Sequence, residues 1–324
     1  MAEVPVAGAQ TADELHYNMI RQNVKERTGD RDMETGRKVA VLTDTNSGIT
    51  QEEGERLGIH VLPMPVMLDG QMYLEGVDIC HSRLYEAIRQ HKEISSSQPS
   101  PGQVMESWDR LLEEGYEEIV YIPMSSGLSG SCHNAISFAE EYQGKVQVVD
   151  NHRISVTQYG SALSALELAE QGLSAAQIRE WLEERAYDAS IYVSVDSMEY
   201  LKKGGRITPA AAALATVLNL KPVLTIQGGK LDTFAKVRGM RQAETKMLEA
   251  IGRDRQETFG TVPDSGLQIN VAGTFEDRER AGEWLKLARK HFPDMEISYH
   301  PLPCSIACHV GMNAAGLGIM KKGS

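Results

Sequence analysis

Cysteine is scarce in this chain: four in 324 residues, at positions 80, 132, 304 and 308. That is too few, and too scattered, for a disulfide framework. Cys304 and Cys308 stand four apart, but no second ligand pair accompanies them, so a zinc pattern is missing. The expectation is reduced, buried thiols. Long apolar runs are lacking too. A bilayer span needs about 20 consecutive apolar residues; the stretch from Ala210 to Leu220 reaches about half that before Lys221-Pro222 stops it. The N-terminus shows no basic-then-apolar signal pattern, and a cytoplasmic location is expected. A cationic surplus is also absent. Lys+Arg is 33 and Asp+Glu is 45, so the formal charge is 33 − 45 = −12. Phosphate affinity is carried by Lys and Arg, so no nucleic-acid partner is expected. Repeats and low-complexity tracts are missing as well.

What remains is an ordinary globular composition, 41% hydrophobic and 24% charged, on a chain long enough for two domains. Residues 1–36 read as an N-terminal extension, with some helical spacing from Asp13 to Arg27. A buried strand follows at Val39–Leu42 and delivers the small polar loop Thr43-Asp44-Thr45-Asn46-Ser47-Gly48. His60–Leu68 reads as one extended segment closed by an Asp69-Gly70 turn. Helices at Gln103–Glu113 and Ser131–Tyr142 alternate with strands at Glu118–Ile122 and Val146–Asp150. That alternation predicts an α/β, Rossmann-like layer with a parallel sheet over residues 37–154.

Residues 155–324 read as an α+β domain with a largely antiparallel sheet. Helices at Thr157–Gln171 and Ser174–Arg185 lead it. The strand Ile191–Val195, a Gly-rich loop Tyr200–Arg206 and a small-residue helix Pro209–Leu218 follow. Pro222–Ile226 and Lys230–Val237, joined by Gly228-Gly229, read as an antiparallel pair. Leu267–Ala272, a helix Asp277–His291 and Glu296–His300 complete the alternation.

Three segments carry chemistry. Ser95-Ser96-Ser97-Gln98-Pro99-Ser100 precedes a helix, and Ser100 with Gln103 forms a capping-box pattern; the serines before it exceed what one cap requires. Ser125-Ser126-Gly127-Leu128-Ser129-Gly130 lies between a strand and a helix, where glycines let backbone approach a ligand and a helix N-terminus favours phosphate or carboxylate. It has neither the Gly-Lys-Ser/Thr ending of a Walker loop nor the spacing of a Gly-x-Ser-x-Gly elbow. Capping alone explains it equally well. His309, entering a Gly/Ala-rich stretch, is either an anion donor or a structural histidine.

Together these segments resemble the DegV family of fatty-acid-binding proteins, over about residues 38–320. The resemblance rests on Val41-Leu-Thr-Asp44, Ser97-Gln-Pro-Ser-Pro101, Ser125-Ser-Gly-Leu-Ser-Gly130, Tyr200-Leu-Lys-Lys-Gly-Gly-Arg-Ile207, Leu220-Lys-Pro-Val-Leu224, Lys236-Val-Arg-Gly239 and His309-Val-Gly311, in the family's order. It implies two domains with one long-chain fatty acid, such as palmitate, stearate or oleate, between them. The carboxylate would be held by Ser96, Ser129 and a protonated His309, with Ser97 and Ser126 as further pocket residues. It also implies a bacterial carrier, not an enzyme by itself, with no catalytic residue, metal or other cofactor. The carrier would present its acid to a fatty acid kinase for acyl-phosphate formation in phospholipid synthesis, with transient membrane contact for lipid exchange. Arg206 and Lys203 would meet the partner or the phosphoryl group. A C16 chain has about fourteen methylenes at roughly 0.8 kcal/mol each, on the order of 11 kcal/mol gross, so the tail would supply most of the affinity.

The sequence departs from the family at three points. Ser96 stands where threonine is usual, Cys308 also replaces a threonine, and Met312-Asn313 replaces Pro-Gly. Two other readings stay open: a hydrolase pairing Ser129 or Ser126 with His309, and a sugar- or phosphate-binding module using the same serine loop. A monomer is the default.

Overall fold

The computed structural model describes residues 38–216 and 220–323. The expected N-terminal extension and the end of the expected Pro209–Leu218 helix lie outside the described residues. Thirteen strands are described: β1 Val39–Asp44, β2 His60–Leu62, β3 Pro65–Leu68, β4 Gln71–Leu74, β5 Ile94–Ser96, β6 Glu118–Ile122, β7 Val146–Val148, β8 Ala189–Ser194, β9 Leu220–Ile226, β10 Asp232–Arg238, β11 Leu267–Gly273, β12 Ile297–Pro301 and β13 Ala315–Lys321. The α-helices are α1 Gln51–Leu57, α2 His81–Arg89, α3 Pro101–Glu113, α4 Ser131–Ala139, α5 Val156–Glu170, α6 Ala175–Glu184, α7 Glu199–Gly204, α8 Pro209–Ala212, α9 Met240–Glu257, α10 Arg278–His291 and α11 Cys304–Val310.

The first sheet is parallel, in the order β2-β1-β6-β7. Its two central strands are apolar on both faces because helices cover both, as a parallel sheet requires. Successive side chains point to opposite faces. Val41, Val120 and Ile122 accordingly pack with Tyr159, Ala162, Ile178 and Leu182 of α5 and α6. Ala40, Leu42, Ile119 and Tyr121 pack with Val104, Trp108 and Leu111 of α3 and Cys132 and Ala135 of α4. The capping box at the start of α3 is formed in both directions between Ser100 and Gln103.

The second sheet has the order β10-β9-β8-β13-β11-β12, antiparallel except for the β11–β12 pair. Tyr192, Val223, Val271 and Ile319 on one face pack with Met247, Ile251, Trp284 and Ala288 of α9 and α10. The opposite face turns toward α5 and the interior. Helix α5 is buried on nearly every side because it lies between the two sheets. Its small residues permit that: a Cβ on Gly160 would stand 2.1 Å from Met320 Sδ, on β13. The expected division at residues 154/155 falls just before α5, and α5 and α6 both cover the parallel sheet.

A third, three-stranded antiparallel sheet, β4-β3-β5, was not anticipated. The segment His60–Leu68, expected as one extended piece, splits at Pro63-Met64. β2 joins the parallel sheet and β3 the small one. Proline removes a ladder donor, which suits a chain changing sheets. Asp69-Gly70 is the tight turn expected, with φ of 49° and 81°. The small sheet and α2 pack on α11 through Val66, Leu84 and Ile94 against Cys304, Ala307 and Cys308. The segment Tyr200–Arg206, expected as a loop, is mostly helix: α7 runs to Gly204 and ends on Gly205 at φ 68°, the left-handed residue that glycine supplies at a helix C-terminus. Among the described residues no helix is long and apolar enough to cross a membrane.

Candidate functional site

Where the three sheets converge there is a cavity of about 910 Å³ including its open mouth. Its wall is mostly aliphatic, with Leu128, Val193, Ile226, Leu231 and Ile306 among the lining side chains. A few polar groups converge on it, the usual make-up of a small-molecule site.

His309 is the central polar group. Helix α11 carries it, and the small sheet presses on that helix from the other side. Its Nε2 lies 2.8 Å from the hydroxyl of Ser96, the last residue of β5. The pair links residues 213 positions apart, so no local sequence pattern could have shown it. The backbone of Gly204 packs flat on the imidazole: a Cβ there would stand 2.4 Å from Nδ1. Burial, followed by the positive charge of Arg206, holds His309 down at about 4. Without a counter-charge beside it, the imidazole is therefore neutral at neutral pH. Desolvation disfavours the cation, and the guanidinium beside it already supplies positive charge.

Arg206 lines the cavity as well. Its Nε donates to the Leu128 carbonyl at 3.3 Å, and its guanidinium also donates to the Gly204 carbonyl. It thus spans α7 and the serine-glycine loop. Ser129 lines the wall from that loop, and its hydroxyl accepts the Ser131 N–H at 3.2 Å at the start of α4. Ser97 lines the cavity and is exposed. The loop is locked to the β9–β10 turn. Ser125 Oγ donates to the Gly228 carbonyl at 3.0 Å, and a Cβ on Gly127 would fall 2.2 Å from that same oxygen.

The structure thus brings Ser96, Ser97, Ser129, Arg206 and His309 to one cavity. It does not bring Ser126 or Lys203 there. Ser126 is half-buried outside the lining, with its N–H donating to Asp150 at 3.2 Å. Lys203 is on the surface, 3.4 Å from Glu93. The hydrolase pairing of Ser126 or Ser129 with His309 is likewise not formed, since Ser96 is the serine on the imidazole. Among the described residues no carboxylate is hydrogen-bonded to His309 to orient it as a base. Cys132, Cys304 and Cys308 are buried free thiols as expected, but Cys80 is exposed.

Sequence reading missed four polar lining residues, Asn46, Gln98, Ser155 and Ser305. Asn46 belongs to the loop after β1, whose small polar residues were the available signal. Behind it lie two buried carboxylates. Asp44 accepts from the Asn46 N–H and Nδ2 at 3.0 Å, Gln158 Nε2 at 2.9 Å and the Met124 N–H at 3.1 Å. Burial raises it to about 6 despite those donors. Glu75 accepts from Thr45 Oγ1 at 2.9 Å and Ser305 Oγ at 2.7 Å, and from two backbone N–H groups of α11. These networks fix the floor of the cavity. Among the described residues no cluster of three or more His, Cys, Asp or Glu is arranged to hold a metal ion.

The chain has close relatives with this architecture. A DegV domain-containing protein of Deinococcus radiodurans is 32% identical over 282 residues, covering 87% of this chain and 98% of the relative. A fatty-acid-binding DegV family protein from Thermus thermophilus superposes with a TM-score of 0.77 at 28% identity, over 88% of this chain and 99% of the other. DegV of Bacillus subtilis, described as a fatty acid binding protein, gives 0.76 at 26% identity, over 88% and 99%. Residues 38–322 match the family model described as an uncharacterised protein of the DegV family, and the chain belongs to that family.

Proposed function

We propose that this protein is a carrier that binds one long-chain fatty acid and presents its carboxyl group to a partner kinase. The observation that carries the reading is the Ser96–His309 pair, 2.8 Å apart, set in the wall of an otherwise aliphatic cavity. A carboxylate there would replace the hydroxyl as the partner of the imidazole, within the field of Arg206. It would find donors on Ser96, Ser97 and Ser129. The tail would run along the aliphatic wall and supply most of the affinity, at roughly 0.8 kcal/mol per buried methylene. The Thermus and Bacillus relatives are described as fatty-acid-binding, which supports the same ligand class here.

The head group would lie where Arg206 bridges Gly204 and Leu128. A carboxyl there would be the end of the ligand offered to a kinase that forms the acyl-phosphate, while the chain stays sheltered. Organic extraction of the purified protein is expected to release about one equivalent of C14–C18 acid, as one cavity implies. Absence of lipid, together with no uptake of added palmitate, stearate or oleate after delipidation, would overturn the reading. Arg206→Ala, reconstituted with a fatty acid kinase, is expected to hold its lipid less tightly and to lose acyl-phosphate formation.

A further inference from the structure

We infer that the cavity contains a second polar station, formed by Ser155, Asn46 and Ser305, that takes a hydroxyl group carried on the acyl chain; this rests on the fatty-acid reading above. The three residues lie together. The Ser155 N–H donates to the Asn46 carbonyl at 3.0 Å, and Ser305 Oγ lies 2.9 Å from Asn46 Oδ1. All three line the cavity.

Ser155 is the telling residue. Only 9% of it is exposed, and its hydroxyl makes no capping hydrogen bond at the start of α5. An aliphatic acyl chain would offer it no partner, and buried polar groups are rarely left unpaired. Its backbone is also unusual, with φ 54° and ψ −134°, a region that glycine enters freely and other residues only at a cost. A glycine would relieve that strain, and serine adds only a hydroxyl, on a residue that lines the cavity. Asn46 and Ser305 are already held from behind by Asp44 and Glu75. They keep capacity to spare: the second hydrogen of the Asn46 amide and the free lone pair of Ser305 Oγ. A ligand hydroxyl placed there would therefore find a donor, an acceptor and the Ser155 hydroxyl.

The station is separate from the carboxylate anchors but near them. Ser305 and His309 are four apart on α11, on one helix face with their Cβ atoms roughly 6 Å apart. The hydroxyl recognised is thus one within the first several carbons of the chain, not one near its middle or end. The ligand class is a long-chain hydroxy fatty acid substituted close to the carboxyl.

The test compares stearate, 5-hydroxystearate and 12-hydroxystearate on the delipidated full chain by direct titration. The readout is the ratio of the stearate Kd to that of each hydroxy acid. A matched hydroxyl is expected to make 5-hydroxystearate about three- to tenfold tighter than stearate. 12-Hydroxystearate, whose hydroxyl falls against aliphatic wall, should be weaker than stearate. Ser155→Ala should bring the 5-hydroxystearate ratio to one or below, and Ser155→Gly, which also relieves the backbone, should do the same if the alanine variant folds poorly. A wild-type ratio at or below one, an equal preference for 12-hydroxystearate, or a preference that survives both substitutions would overturn the station. Failure of both stearate and 5-hydroxystearate to bind would instead overturn the fatty-acid reading itself.

Discussion

His309 titrates at about 4 in the folded protein, against 6.5 for an unperturbed histidine. As pH falls below 6.5 the unfolded chain takes up the proton while the folded chain resists it. Folded stability is therefore lost between pH 6.5 and pH 4 through this one group. Each pKa unit is worth about 1.36 kcal/mol. At pH 4.5 the accumulated loss comes to about 2.5 kcal/mol, and at pH 7.5 it is negligible. His309→Gln removes the titration and keeps a side chain able to bond Ser96. The assay is urea unfolding of delipidated wild type and variant at both pH values, followed through the buried Trp108 and Trp284. The double difference cancels every group the two proteins share. It should favour the variant by about 2.5 kcal/mol at the lower pH. Equal acid sensitivity in the two proteins would refute a buried, proton-resistant imidazole at this site. Arg206→Gln in the wild-type background should narrow the effect, since the guanidinium is the second cause of the depression.

Other outcomes are expected from the same geometry. Ser96→Ala should weaken fatty-acid binding by roughly 1–3 kcal/mol, because it removes one of the hydroxyl donors proposed for the carboxylate, and a titration of delipidated protein measures it. Ser129→Ala should lower both affinity and stability, the latter by about 1 kcal/mol, since its hydroxyl also holds the Ser131 N–H at the start of α4. Gly204→Ala would drive a Cβ to 2.4 Å from His309 Nδ1; tilting the ring away should cost about 1–3 kcal/mol of binding, read by lipid content after purification. Gly127→Ala meets backbone rather than a movable side chain, at 2.2 Å from Gly228 O, so it should lose bound lipid and lower Tm together.

The parallel layer was largely legible. Val39–Leu42 and Glu118–Ile122 are short apolar runs between turn residues, and nothing but a doubly covered strand suits them. Ser100 and Gln103 likewise announced the start of α3. The small sheet was not legible, because β5 is three residues long and β4 is half exposed, so neither shows a period. Helix α7 was hidden by its two glycines, of which one is only the terminator. At the site, motif order pointed to Ser96, Ser129 and His309, and the structure puts all three on one cavity. It could not point to the charge state of His309, which depends on burial and on Arg206. Nor could it point to Ser155, whose distinction is a backbone angle that serine seldom adopts.

The position of β13 bears on how the molecule is made. That strand sits between β8 and β11 and is hydrogen-bonded to both, from Ala315 opposite Ser194 to Lys321 opposite Leu267. Until residues 315–321 leave the ribosome, β8 and β11 have no direct link, and each shows an open ladder edge. One wall of the cavity, including Gly316 and Leu317, is missing for as long. A nascent chain without these residues therefore lacks part of the site, however complete its first sheet. The same order makes β8 and β11 sticky during synthesis, when an unpaired edge can capture another chain. A chain cut before β13 should aggregate rather than survive as a soluble half.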